Sequence, residues 1–184
     1  MSIKVTGIKG SLGDEASIRV PLKVALEGAR ESGCETELID LRDLSLPFCD
    51  GRWDNSTYPQ NVQDFRKKIK DSQGIILCTP EYHNSFSGAI KNALDLLGKE
   101  EMEDKMCGLI GVAGGSMGAL NAVNQLRIVC RAVGAWVVPH HVSIGNSERI
   151  FANDGSIADA QTHDRLKKLG HDVGKYARLH FPND

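Results

Sequence analysis

The stretch from Thr79 to Leu97 places a polar loop between a short apolar run and an amphipathic segment. The apolar run, residues 74–78, is rich in isoleucine, which predicts a buried strand. After the loop, apolar residues recur at helical spacing, at Phe86, Ile90, Ala93 and Leu97. The order is therefore strand, polar loop and helix. In an open α/β sheet, ligands bind at loops that follow the carboxyl ends of the strands.

The loop itself has an unusual composition for a connector. It contains Pro80, Glu81, Tyr82, His83 and Asn84, whereas a plain connection is more often built from Gly, Ser and Asp. Two interpretations remain open. The polar groups contact a ligand, or they form a capped turn and satisfy one another.

A second loop of interest follows the first predicted strand, residues 3–8. Residues 9–17 are rich in glycine and serine and open an amphipathic helix that continues to Ala29. Such a loop is a ready anion site, because backbone N–H groups and hydroxyls point at the ligand and the helix dipole favours negative charge. The spacing matches neither the dinucleotide fingerprint nor the Walker A pattern. A simple helix cap is the alternative.

A third loop, Gly114-Gly115-Ser116-Met117-Gly118, follows the predicted fourth strand, residues 105–113, and opens a helix that runs to Val133. Glycines allow a flat ligand to approach the backbone closely. A tight turn without a ligand is the other interpretation.

The remaining elements alternate in the same way. The second strand is predicted at residues 36–40 and the fifth at residues 136–138, with further helices at 62–69 and 156–179. Five strands alternating with helices predict an α/β fold with a parallel sheet. No linker or repeat divides the chain, so we expect a single domain over residues 1–184.

Composition limits the function classes. A net charge of −2 gives no electrostatic reason to expect nucleic acid or a membrane surface, and no apolar run is long enough for a membrane helix. The start of the chain runs straight into a strand pattern, so we expect no signal peptide and a cytoplasmic protein. The cysteines, an odd number without metal spacing, suit a reducing compartment. His140-His141 is interpreted as a surface or interface pair, and no metal site is expected.

One segment carries a family resemblance. Residues 80–85, Gly88 and residues 91–95 read PEYHNS, G and KNALD, and resemble the signature of the NADPH-dependent FMN reductases. These are flavodoxin-like proteins that include quinone, chromate and azo-dye reductases. The resemblance implies a three-layer sandwich with five parallel strands in the order 2-1-3-4-5. It also implies FMN as cofactor, NADPH or NADH as co-substrate, and a ping-pong cycle that passes electrons to a quinone-like small molecule.

The same resemblance implies the site residues. The phosphate of FMN would be held by Gly10, Ser11, Ser17, Ile18 and Arg19. The ring would meet Pro80, Glu81, Tyr82, His83, Asn84, Gly114, Gly115, Ser116, Met117 and Gly118. Within this set Tyr82 would flank the ring and Asn84 would hydrogen-bond its pyrimidine side. Asn92 would brace the loop from within its helix, and no side chain is assigned as catalytic.

The phosphate loop departs from the family pattern. Gly13 stands where an arginine is expected, Ile18-Arg19 replaces an asparagine-containing end, and the loop is one residue longer. Asp14 and Glu15 add negative charge. These departures predict loose FMN binding, for which Arg19 would compensate. They also leave open an alternative function, a flavodoxin-like redox sensor or binding module with weak or lost FMN binding.

Family members usually pair as dimers or tetramers through the helices after strands 3 and 4. The corresponding segments here are residues 87–97 and 117–133, so self-association is expected. The long connection at residues 41–58 carries Trp53 and Tyr58. These aromatics would cover a flavin, pack on a second subunit, or pack within the monomer.

Overall fold

The computed structural model describes residues 2–13, 16–52, 54–151 and 156–182. Asp14, Glu15 and Trp53, to which the sequence assigned possible roles, lie outside this range. The strands are β1 (Lys4–Lys9), β2 (Glu35–Asp40), β3 (Gly74–Tyr82), β4 (Ser85–Phe86), β5 (Met106–Val112), β6 (Trp136–Val137) and β7 (Val142–Ile144). The helices are α1 (Ala16–Glu31), α2 (Gln60–Lys70), α3 (Gly88–Asp95), α4 (Lys99–Met102), α5 (Leu120–Ala132), α6 (Ser147–Ile150) and α7 (Ala160–His180).

The described strands form a seven-stranded sheet whose main path runs β2-β1-β3-β5-β6. Neighbours along this path are parallel, with Lys9 opposite both Asp40 of β2 and Cys78 of β3. The prediction of a flavodoxin-like α/β fold with a parallel sheet is confirmed. The prediction of five strands in the order 2-1-3-4-5 is wrong in its strand count and numbering.

Two local features account for the difference. The predicted fourth strand is β5, because the short strand β4 precedes it and folds back antiparallel on β3. The predicted fifth strand, residues 136–138, corresponds to β6, and β7 was not predicted; the two pair with successive parts of β5. Pro139 lies between them and has no N–H to donate to a ladder, which fits an interruption at this position.

Helices cover both faces of the sheet. On one face, Leu22 of α1 and Val173 of α7 pack in a buried cluster with Ile76 and Ile110 of the central strands. On the other face, Phe65 of α2, Ile90 of α3 and Leu126 of α5 join Leu77 and Leu109. Strands β3 and β5 are buried along almost their whole length, so their near-continuous apolar sequences are those of strands covered on both sides.

The connection after β2 is ordered by short-range contacts. It contains two 3-10 helices, Leu41–Asp43 and Asn55–Thr57. Tyr58 is buried, and its hydroxyl donates to Asp50 Oδ1 at 2.9 Å. Of the interpretations offered for Tyr58, packing within the chain is therefore the one observed.

Candidate flavin site at the carboxyl edge of the sheet

A buried lysine organises the loop after β1. Lys9 is the last residue of β1, and its side chain is fully buried. Its ammonium donates to the carbonyls of Ser11 at 2.8 Å and Gly13 at 2.7 Å, and to Asp40 Oδ1 at 3.2 Å. These bonds tie the turn to the core beneath it. Sequence reasoning missed Lys9, because the prediction ended the first strand at Ile8 and placed Lys9 in the loop.

In the described part of the chain, three cationic side chains lie around Asp40. Besides Lys9, Arg19 lies 3.7 Å from its Oδ2 and Arg42 lies 3.6 Å from the same atom. Three cations thus share one carboxylate that is largely buried. A phosphate at this edge would meet net positive charge from the described side chains, which is the condition for charge-assisted hydrogen bonds. Arg19, which the sequence offered as compensation for Gly13, lies in this cluster.

The other side of the loop is joined to the start of α3. The N–H of Gly10 donates to the carbonyl of Cys78 at 2.7 Å, and the hydroxyl of Ser87 donates to the carbonyl of Gly10. Ser87 also caps α3 by accepting from the N–H of Ile90 at 3.1 Å. A Cβ at position 10 would lie 2.8 Å from the Cys78 carbonyl oxygen, so this close approach requires glycine.

The segment predicted as a loop from Pro80 to Ser85 is mostly strand. β3 extends to Tyr82, which pairs with Ser85 of β4. The turn between them consists of His83 and Asn84, whose φ angles are 50° and 64°. Positive φ at both central residues is the type I′ pattern, whose twist matches antiparallel strands. The hairpin leaves the side chains of Tyr82, His83 and Asn84 exposed.

Helix α5 holds this hairpin in place. The carboxylate of Glu81 accepts from the N–H of Ala122 at 2.9 Å, at the positive end of α5. Gln125 donates to the carbonyl of Asn84 at 3.0 Å and accepts from the hydroxyl of Ser85 at 2.6 Å. Glu81 was predicted as a ring contact through its backbone, and its side chain proves to be a brace. Gln125 was not predicted, because nothing in a helical sequence marks a contact 40 residues away.

The glycine loop follows β5, and β5 is the neighbour of β3, the strand that carries the hairpin. Gly118 has a φ of 72°, and its N–H donates to the carbonyl of Gly115 at 3.3 Å. The N–H of Asn146 donates to the same carbonyl at 3.0 Å, and the N–H of Ala119 donates to Ser143 Oγ at 2.9 Å. The loop is thus fixed from β7 and from the segment after it, while Met117 at its tip is 94% exposed.

Open space lies over two of these glycines. A Cβ built on Gly114 or Gly115 would meet no atom of the described residues within 4 Å, so these residues leave room for a flat ligand next to this backbone. The predicted residues lie at or after the carboxyl ends of β1, β3 and β5, which are neighbours in the sheet. The described residues therefore fit FMN in two respects. The edge near Asp40 provides cations for a phosphate, and the glycine loop provides room for a ring.

Asn92 and the paired histidines have other surroundings. Asn92 donates to the carbonyl of Pro47 at 2.9 Å and accepts from the N–H of Cys49 at 2.9 Å, so it braces the connection after β2 rather than the hairpin. His140 and His141 are half-buried, and burial lowers the pKa of each. The described residues contain no group of His, Cys, Asp and Glu that could hold a metal ion.

A groove adjoins the phosphate loop on the side of β2. Its volume is about 410 Å³, and its walls include Leu12, Leu41, Arg42, Leu46, Phe48 and Asn92. We call it the β2–α3 groove, since its remaining wall is the first turn of α3. Leu12 belongs to the phosphate loop itself, so the groove is continuous with the candidate flavin site.

Comparison with known proteins gives consistent matches. The pattern of the NADPH-dependent FMN reductase family matches residues 3–149. The chain is 36% identical to an NADPH azoreductase of Bacillus sp. (strain OY1-2) over 147 residues, which cover 80% of this chain and 78% of that protein. It is 31% identical to an NAD(P)H:quinone oxidoreductase of Solanum tuberosum over 182 residues, covering 91% of this chain and 89% of that protein.

Among solved structures, FerB, a flavoenzyme NAD(P)H:(acceptor) oxidoreductase from Paracoccus denitrificans, superposes with a TM-score of 0.74 at 23% identity. The match covers 98% of this chain and 99% of that one, and it supports the fold. In the part of the chain that the structure describes, no helix has the length and apolar character needed to cross a membrane.

Proposed function

Since the chain belongs to the NADPH-dependent FMN reductase family, an NAD(P)H-dependent class of oxidoreductase with FMN as cofactor, we propose that it reduces quinone-like small molecules by a ping-pong cycle. In this cycle the nicotinamide coenzyme and the acceptor occupy one site in turn. FMN, when bound, supplies the redox chemistry by accepting hydride equivalents and releasing electrons. The protein binds and orients the reactants.

The observation that carries the proposal is the pairing of two features on one sheet edge. A cluster of cations around Asp40 lies at the ends of β1 and β2, and open backbone at Gly114 and Gly115 lies after β5. An isoalloxazine with a ribityl phosphate needs both features in one site. The names of the relatives, an azoreductase and a quinone oxidoreductase, favour a small conjugated acceptor.

We assign positioning roles to the predicted residues. Gly10, Ser11, Ser17, Ile18 and Arg19 hold the phosphate, with Lys9 supporting the loop from below. Tyr82 and Asn84 meet the ring from the hairpin, and residues 114–118 meet it from the glycine loop. No side chain needs to act as general acid, because the acceptor site is open to water at the exposed hairpin.

Steady-state kinetics test the cycle. Flavin-loaded protein is expected to oxidise NAD(P)H with a small quinone, and double-reciprocal plots at several quinone concentrations are expected to be parallel. Intersecting lines would exclude the ping-pong order. A flavin-loaded sample that reduces no quinone and no azo dye would refute the enzyme and favour a redox sensor.

The alternative, a binding module with weak or lost FMN binding, depends on the phosphate loop. Gly13 has no guanidinium group, and its carbonyl accepts a hydrogen bond from the ammonium of Lys9. Titration of FMN into flavin-free protein separates the two functions. If the site is lost, the protein that leaves the gel-filtration column carries no flavin and does not absorb blue light. The cations around Asp40 favour retained binding.

Self-association is proposed through α3 and α5, the helices that follow β3 and β5. α5 exposes Leu120 at 48% and Ile128 at 64%, which are large apolar side chains on its outer face. A dimer that covers them would remove this apolar area from water. Light scattering after gel filtration measures the state, and Ile128→Glu is expected to shift it towards monomer. A monomeric wild type would refute the proposal.

A further inference from the structure

The β2–α3 groove begins at the phosphate loop and is mostly apolar. Phe48 is 86% exposed and Leu12 is 60% exposed, while Leu41 is buried beneath them. An exposed aromatic beside aliphatic side chains suits a flat heteroaromatic base, which stacks on such surfaces. A volume of about 410 Å³ lies within the range of small-ligand pockets.

Arg42 provides the charge in this groove. Its guanidinium lies 3.6 Å from Asp40, a carboxylate that it shares with Lys9 and Arg19, and 3.8 Å from the exposed Asp43. Among the described residues that line the groove, Arg42 is the charged one. A phosphate gains from such a guanidinium, whereas a ribose hydroxyl gains little.

The walls of the groove are held before any ligand arrives. Asn92 fixes the backbone of Pro47 and Cys49 on either side of Phe48. Asn61 donates to the carbonyls of Leu44 at 2.8 Å and Ser45 at 3.0 Å. A preformed wall lowers the entropic cost of binding, so the groove has the character of a site rather than of a loose loop.

We propose that the β2–α3 groove binds the adenosine 2′-phosphate end of NADPH, with Arg42 on the 2′-phosphate and Phe48 against the adenine. The inference rests on the proposed function, because it identifies a residue that would give the reductase a preference for NADPH over NADH. The nicotinamide end would reach the ring site across the adjoining phosphate loop. One other occupant, a second copy of the chain, is distinguished by the tests.

Calorimetry on FMN-loaded protein tests the groove without turnover. With the phosphate loop occupied by FMN, 2′,5′-ADP is expected to bind at least about tenfold more tightly than 5′-AMP. Arg42→Ala is expected to abolish this difference, and Phe48→Ala to weaken both nucleotides alike. Arg131→Ala, an exposed arginine on α5, is the control and is expected to leave both affinities unchanged.

Three outcomes would overturn the inference. Equal binding of 2′,5′-ADP to wild type and Arg42→Ala would remove Arg42 from the site. Loss of FMN affinity in Arg42→Ala, with the preference for 2′,5′-ADP over 5′-AMP retained, would assign this arginine to the flavin phosphate alone. Dissociation of an oligomer by Phe48→Ala, with no nucleotide binding in wild type, would make the groove a subunit interface.

Kinetics separate this inference from the proposed function. In FMN-saturated Arg42→Ala, the ratio of kcat/KM for NADPH to kcat/KM for NADH is expected to fall about tenfold or more relative to wild type. If Arg42→Ala reduces quinone and uses NADPH and NADH as well as the wild type does, the proposed function stands. The assignment of the groove to NADPH is then refuted. If the protein takes up no FMN, the proposed function fails, and the same titrations on flavin-free protein still decide the groove.

Discussion

The two ends of the candidate flavin site are held by different kinds of interaction. At the phosphate end, a buried ammonium and two guanidinium groups share one carboxylate, so the loop is held by charge from within the protein. At the ring end, a two-residue turn and a glycine loop are held by backbone hydrogen bonds and by Gln125. The phosphate end can therefore recognise a ligand by its charge, and the ring end can recognise it by its shape. Mutations and salt should therefore affect the two ends differently.

Lys9→Met is expected to have the largest effect, because it leaves Asp40 and two carbonyls without their buried donor. Asp40 keeps Arg19 and Arg42 as partners, so the cost is that of the lost hydrogen bonds of a charged donor, about 1.5–3 kcal/mol each, and the free energy of unfolding and the FMN affinity should both fall. Urea denaturation and FMN titration measure the two effects. Lys99→Met at an exposed position is the control. Wild-type stability of Lys9→Met would show that charge does not hold the phosphate end.

A pair of glycine variants comes next. Gly10→Ala places a Cβ against the Cys78 carbonyl and Ile90, and we expect it to lower the free energy of unfolding by about 1–3 kcal/mol. Gly114→Ala meets no protein atom, so it should leave stability unchanged while weakening FMN binding. Thermal melts and flavin titrations of both variants give the comparison. Unchanged flavin affinity in Gly114→Ala would place the ring elsewhere.

Salt distinguishes charge from shape within one protein. Raising the salt concentration from about 0.1 M to 1 M shortens the Debye length from about 10 Å to 3 Å, so the affinity for FMN should fall. Riboflavin has the ring without the phosphate, and its affinity should change much less. Fluorescence titrations with both flavins measure this. Equal salt dependence would mean that the cations near Asp40 do not contact the phosphate.

The smallest effects are expected in the hairpin. Tyr82→Ala removes one ring contact and Asn84→Ala removes one hydrogen bond, and each should weaken flavin binding by about 1 kcal/mol. Trp53→Ala, in the connection after β2, serves as the comparison and should weaken flavin binding less. If both hairpin variants keep wild-type affinity, the ring does not contact the hairpin.

The sequence was sufficient for those features that local pattern encodes. Apolar runs and helical periodicity predicted the parallel strands and the helices between them, since burial on two faces or on one stripe leaves a visible period. The motif at residues 80–95 predicted the family, which the match over residues 3–149 confirms. The glycine and serine loops were also recognisable, because few residue types permit such turns.

Contacts between distant segments were decided by the tertiary structure alone. Lys9 and Asp40 meet because β1 and β2 pair in register, and Gln125 reaches Asn84 because α5 packs beside the hairpin. The short strand β4 forms because its two residues pair with β3. β6 and β7 are separate strands because each pairs with a different part of β5. Such pairings gain their free energy only when the chain has folded, so no local pattern records them.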